Sequence, residues 1–179
     1  MGTKHVGRFT LFREIADKFP GFLSLLTPAI KPVLVPRNGD ILTPGQLSTE
    51  MYFIFKGKVE VRDIDAKLLY EKSKGEFFGE VVFMIPSGII YKLVVKVRAI
   101  QDTFLFVLDK SFLDVLETCN TRLYHKFKQV LNAKSNFSEE KAMEWVHIES
   151  NLERNNVIKE LKKIRRRKTE NFDLLREVA

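Results

Sequence analysis

Cysteine is nearly absent: Cys119 is the single one in 179 residues, so no internal disulfide can form. Histidine is scarce as well, and His5, His125 and His147 stand singly with no second Cys or His at ligand spacing. These two shortages exclude a disulfide scaffold and a metal site, and they suit a reducing compartment. No run of about eighteen apolar residues occurs, so no membrane-spanning helix is expected. The first ten residues carry Lys4, His5 and Arg8 instead of the apolar stretch of a signal peptide. The chain reads as soluble. Also missing are a nucleophile and base at motif spacing, a Gly-x-x-x-x-Gly-Lys phosphate loop, internal repeats and low-complexity segments, and an enzyme is not expected.

What is present is a core-forming composition, 45% hydrophobic and 30% charged, with a net charge of +7. That suits one compact domain with an appendage. The charge is uneven, since Thr121 to Ala179 holds fourteen Lys/Arg against nine Asp/Glu and leaves +2 for the rest. Its densest part is Lys159 to Lys168. Such a run suits acidic lipid headgroups, calmodulin, an acidic protein surface or plain solvation of a helix face. Without an aromatic platform or recognition motif beside it, nucleic acid is not the expected partner.

The apolar spacing divides the chain into four segments. Over residues 1–32, Phe12, Ile15, Ala16 and Phe19 recur at helical spacing up to Pro20-Gly21, and a second apolar turn ends near Pro28. Over 33–110 short apolar runs are cut by Pro36, Asn38-Gly39, Pro44-Gly45, Gly57, Gly75, Gly79 and Gly88. That punctuation predicts many short antiparallel strands rolled into a small barrel. Gly57 is expected at the turn of a hairpin between Met51–Phe55 and Lys58–Arg62. Leu93, Val95 and Val97 alternate with Lys92, Lys96 and Arg98, one face core and one wet. Over 111–135, helices carry Phe112, Val115 and Leu116, then Leu123, Phe127 and Val130. Over 136–179, Ser138-Glu139-Glu140 opens a basic amphipathic helix with Trp145, Ile148 and Leu152 on one stripe, followed by Val157, Leu161 and Ile164, then Phe172 and Leu175. Packing on the barrel, self-association, and docking on another protein or a membrane all remain open for that face. The fold class expected is α+β, an antiparallel jelly-roll-like β-roll between N-terminal and C-terminal helices.

Met51-Tyr52-Phe53-Ile54 with Gly57 and Val59, then Gly75, Phe78-Gly79-Glu80, Val97-Arg98-Ala99, Phe112 and Val115-Leu116 together resemble the cyclic nucleotide-binding domain. The likeness runs from about Phe9 to Val130. Leu11-Phe12, Glu50-Met51-Tyr52 and the long Glu80 to Arg98 segment are most similar to the cytoplasmic C-terminal domains of cyclic-nucleotide-regulated cation and potassium channels. The resemblance implies a site for cAMP or cGMP and no further cofactor. Phe78, Gly79, Glu80 and Val81 would form a turn aiming backbone amides at the cyclic phosphate, with Glu80 on the ribose hydroxyl. Val61 and Leu69 would pack on the base, and Leu123 and Phe127 would close over the site from a lid helix. It also implies a cytoplasmic domain at the inner face of a membrane, with channel subunits or a second copy as partners.

One departure stands out. Where the family has an arginine that pairs with the phosphate this chain has Leu93, and Val94 stands where Thr or Ser is usual. Strand parity sends Lys92 to the other face, so it replaces the arginine only if a bulge in Ser87 to Tyr91 shifts the register. Losing a charge-assisted bidentate contact costs about 2–3 kcal/mol or more, on the order of a hundredfold in affinity. Leu93→Arg is therefore expected to raise affinity. Two functions compete: a sensor in which a nucleotide or an internal mimic shifts the C-terminal helices, and a ligand-free interaction scaffold. In ether-a-go-go-type potassium channels, which the chain resembles in lacking the full cassette, a segment of the same polypeptide fills the cavity, and the tail after the barrel is the candidate for that role here.

Overall fold

The computed structural model describes residues 3–85, 89–135, 145–148, 154–160, 162–163 and 166. Helices α1 (Thr3–Val6), α2 (Thr10–Ala16) and α3 (Phe22–Ala29) open the chain. α2 turns Leu11, Phe12 and Ile15 into the core. Pro20-Gly21 separates it from α3; at Gly21 φ is +94°, and its carbonyl accepts from the amides of Ser24 and Leu25.

The strands that follow are β1 (Ile30–Val35), β2 (Asp40–Leu42), β3 (Glu50–Lys56), β4 (Lys58–Arg62), β5 (Leu68–Ser73) and β6 (Phe77–Phe78). After the single turn α4 (Val81–Met84) come β7 (Tyr91–Leu93), β8 (Lys96–Ala99) and β9 (Thr103–Asp109). Helices α5 (Phe112–Cys119) and α6 (Thr121–Lys134) lead to a last short strand, β10 (Val146–Ile148). One sheet has the order β1-β9-β3-β6, the other β2-β8-β4-β5, and β7 pairs with β10. All the pairings are antiparallel. The class is α+β, a β-roll with helices at both ends, as the turn spacing predicts.

Two local expectations differ. β3 and β4 belong to different sheets, so Gly57 is a corner and not a hairpin turn. Its φ of +108° and the 2.6 Å that would separate an added Cβ from Thr103 Cα admit only glycine there. The second is Ile148: Trp145 is helical as expected, but from Val146 the chain is a strand, with Val146 and Ile148 buried on either side of exposed His147. Ser138 to Glu140, Leu152, Leu161, Ile164, Phe172 and Leu175 lie outside the described residues.

The core is aromatic. Phe12, Phe22, Phe53, Phe78, Phe83, Phe106 and Phe127 are fully buried, and each such side chain contributes roughly 1.5–3 kcal/mol. Asn120 caps α6 by accepting from the Leu123 amide at 3.1 Å. From there Leu123, Phe127, Val130 and Leu131 face inward, with the Phe127 ring against Phe22, Phe83 and Phe112.

Candidate functional site

The turn expected to hold an anion follows β6. Phe78 is fully buried and stacks on Tyr52 at 4.9 Å. At Gly79 φ is +81°, and an added Cβ would stand 2.8 Å from the Glu50 carbonyl oxygen. The glycine is thus required by its approach to β3, whatever the turn binds. Glu80 opens α4 half-buried, beside a groove of about 280 Å³ that Lys72 and Lys134 also line. The amides of Val82 and Phe83 bond the carbonyls of Gly79 and Glu80 at 3.2 and 3.1 Å, and Val81 points into the core.

The other end of α4 is held by two cations. Lys128 Nζ donates to the Phe83 carbonyl at 2.7 Å and Lys110 Nζ to the Ile85 carbonyl at 2.6 Å. Positive charge there complements the end of a helical turn. Burial pulls both ammonium pKa values down, and for Lys128 the nearby Lys110 adds to the effect. The cassette turn is thereby tied to the start of α5 and to α6.

The second part of the site is β7. Tyr91, Leu93 and Val95 are buried while Lys92 is exposed, so Lys92 does not take the place of the missing arginine. The Leu93 amide and carbonyl bond Gln46 and Gly45, at 2.9 and 2.7 Å, on the edge nearest β2. Val94 turns its amide to the opposite edge, where it donates to the Trp145 carbonyl at 2.9 Å. Along that edge lies β10, with Val146 opposite Leu93, His147 opposite Lys92 and Ile148 opposite Tyr91. Trp145, Val146 and Ile148 are all buried. The Trp145 ring stacks on Tyr70 of β5 at 6.4 Å, and its indole N–H donates to the Tyr70 hydroxyl. Tyr91 anchors β7 from below by donating to the Ser48 carbonyl, and burial, with the charge of Asp109, pushes its pKa up to about 12.

The anticipated residues thus fall into two groups. Val61, Leu69, Leu93 and Val94 belong to the sheet surface around β7 and β5, Val61 being fully buried opposite Val97 and Tyr70, and Leu69 half-buried. Phe78 to Val81 form the turn, and Leu123 and Phe127 lie in the helical core, where Phe127 reaches α4 through Phe83. The resemblance pointed to the tail after the barrel as an internal occupant, but nothing singled out Trp145 to Ile148. The visible signal was the alternation of Val146-His147-Ile148 after an aromatic residue, hidden inside a segment whose wider spacing is helical.

Neither a protein-family model nor a curated protein sequence matches the chain. Solved structures do. A Geobacter metallireducens protein described as cyclic nucleotide-binding superposes with a TM-score of 0.61 at 14% identity, over 74% of this chain and 94% of that one. The C-linker and cyclic nucleotide-binding homology domain of zELK channels, crystallized in the presence of cAMP, gives 0.62 at 20% identity, over 74% of this chain and 65% of that one. The sensor domain of the Pseudomonas aeruginosa transcriptional regulator DNR gives 0.57 at 15% identity, over 74% and 87%. The fold is that of the cyclic nucleotide-binding domain. At these identities the likeness is one of fold. Within this cyclic nucleotide-binding fold the present chain places a strand of its own along β7.

Proposed function

We propose that the chain is a regulatory domain of the cyclic nucleotide-binding fold in which β10 is an internal ligand, and that exchange of β10 moves the C-terminal helices. The observation that carries this reading is the pairing of β10 with β7. Leu93 and Val94 stand where the resemblance puts phosphate contacts, yet Leu93 is 1% exposed opposite Val146 and the Val94 amide is bonded to Trp145. A leucine offers a phosphate no charge-assisted contact, so a nucleotide has little free energy with which to displace the strand. The strand, by contrast, is tethered to α6 by residues 136–144, and a short linker gives a local concentration on the order of millimolar. A weak ligand present at micromolar levels loses that competition.

In this reading Val61, Leu69, Leu93 and Val94 line the edge that β10 vacates, and Phe78, Gly79, Glu80 and Val81 form the turn that senses it. Leu123 and Phe127 pass the change through Phe83 to α6. The wider setting we propose is a channel-like protein, with this domain cytoplasmic at the inner face of a membrane and channel subunits or a second copy as partners. No helix among the described residues is long and apolar enough to cross a membrane. The competing function is a ligand-free scaffold.

Calorimetry with cAMP and cGMP tests the proposal. The wild type is expected to give no saturable heat at millimolar ligand. Trp145→Ala, which frees the Tyr70 face, is expected to bind, and Glu80→Ala in that background to weaken the binding again. No binding by either protein favours the scaffold. Micromolar binding to the wild type with Trp145 still buried sinks the internal-ligand reading.

A further inference from the structure

The C-terminal end of α4 borders a groove of about 1310 Å³, lined by Phe83, Met84 and Ile85 of that end and by residues of α5 and α6. Two half-buried ammonium groups line it, Lys128 on the Phe83 carbonyl at 2.7 Å and Lys110 on the Ile85 carbonyl at 2.6 Å. The carbonyls they hold are two residues apart, so the two charges are neighbours. Among the described residues neither lysine makes an ion pair. Burial, with the charge of Lys110 behind it, holds the Lys128 pKa below its ordinary value. The pair has more positive charge than its surroundings offset.

The acids on the same groove do not supply the balance. Asp109 accepts from the Thr49 hydroxyl at 2.5 Å and from the Ser111 amide at 2.9 Å, and Glu160 pairs with Lys163 at 2.6 Å. Asp114 and Glu117 of α5 are exposed, and charges that face water without touching a partner are screened. They do stand near the lysine pair: Asp114 acts on Lys110, and after burial Glu117 and Asp114 push the Tyr124 pKa up. On α6, Tyr124, Lys128 and Asn132 recur every fourth residue and line the groove as a stripe about 12 Å long. A pocket in which a few polar groups converge over an apolar wall is the usual form of a small-molecule site.

We infer that this groove takes a small hydroxyl-bearing phosphate monoester, its phosphate on Lys110 and Lys128 and its hydroxyls toward Asp114 and Glu117. A phosphate monoester carries close to two negative charges at neutral pH and matches two neighbouring ammoniums better than a carboxylate does. An ammonium has three N–H donors and each lysine gives one to α4, so the phosphate is held without releasing that turn. Exposed Lys159, Lys162, Lys163 and Arg166 line the groove as well and draw anions toward it. Once the pair is neutralised, α5 and α6 grip α4 more firmly. The inference goes beyond the internal-ligand reading and does not need it, since it concerns the opposite end of α4 from Gly79 and leaves β10 in place.

Thermal unfolding of the full chain in sodium phosphate or glycerol 3-phosphate, against sodium chloride at equal ionic strength, tests it. A saturable rise in the midpoint is expected with both phosphates and not with chloride. Glycerol 3-phosphate should act at about fivefold lower concentration, the effect of one added hydrogen bond. Lys110→Met and Lys128→Met are each expected to weaken binding by about 10- to 100-fold. Because both changes touch α4, a surface variant guards against a folding artefact. The double variant Asp114→Asn, Glu117→Gln should bind inorganic phosphate about fivefold more tightly and lose the preference for glycerol 3-phosphate. A midpoint that follows ionic strength alone overturns the site. So does binding that survives both lysine changes but is abolished by Lys162→Gln, Lys163→Gln and Arg166→Gln together. Equal affinity of the wild type for the two phosphates overturns the hydroxyl-bearing class. None of these results bears on β10, which the nucleotide titrations of wild type and Trp145→Ala decide.

Discussion

At Gly79 a hydrogen in place of a methyl group decides whether β6 can lie against β3. The positive φ and the 2.8 Å approach to the Glu50 carbonyl mean that Gly79→Ala must both strain the turn and push it off β3. A loss of about 1–3 kcal/mol is expected, seen as a lower urea midpoint. Leu93 carries the opposite lesson. Read in the sequence, Leu93→Arg restores a phosphate contact, but here it puts a guanidinium where Val146 packs. An unpaired buried charge is expelled or destabilises by roughly 3 kcal/mol or more. The expected result is a lower urea midpoint together with red-shifted Trp145 emission, because the arginine finds water only if β10 leaves. A variant that keeps wild-type stability and a buried Trp145 contradicts this account.

Among the elements, α4 is too short to persist by itself, and its conformation is set by what grips it. Lys128 from α6 and Lys110 at the head of α5 each hold one of its terminal carbonyls. A hydrogen bond from a charged donor contributes about 1.5–3 kcal/mol net, so Lys128→Met should lower stability by about 1–2 kcal/mol despite relieving the buried charge. The pH dependence has a definite sign. Burial lowers the Lys128 pKa in the folded state below its ordinary 10.5, so as pH climbs toward 10.5 the unfolded chain binds more protons than the folded one. Stability therefore rises with pH across that window. The gap between wild type and Lys128→Met, measured by urea unfolding, should widen from neutral pH toward 10. A gap that narrows means the ammonium is not desolvated as described.

For the whole molecule, what matters is how a roll of two sheets leaves one strand edge unpaired. β8 is flanked by β2 and β4, but β4 ends at Arg62, opposite Lys96, so the upstream part of the same run has no neighbour on that side. β10 takes that place, antiparallel to β7 as β4 is to β8. An exposed edge invites pairing, and a strand from the same chain closes it at small entropic cost. Much of this fold was legible beforehand. Gly75 and Gly79 set off the cassette turn, Lys92 to Arg98 alternated as a half-buried strand does, and Leu123, Phe127 and Val130 marked the inward face of α6. The glycine at position 57 was recognised as a turn, but not which sheets it joined, since a positive φ serves a hairpin and a corner alike.

That Leu93 faces inward and Lys92 outward, too, was written in the sequence, because charge and strand parity are local properties that one residue and its neighbours determine. What covers the vacated edge was not. Val146 to Ile148 has too few residues to declare a strand, and the helical spacing around it masks the alternation. Its conformation follows from hydrogen bonds and apolar contacts with β7 and Tyr70, far away along the chain. Local pattern therefore determined the roll and the absence of an inward-facing cation on β7, while only tertiary pairing decided that the chain itself occupies the edge of that strand.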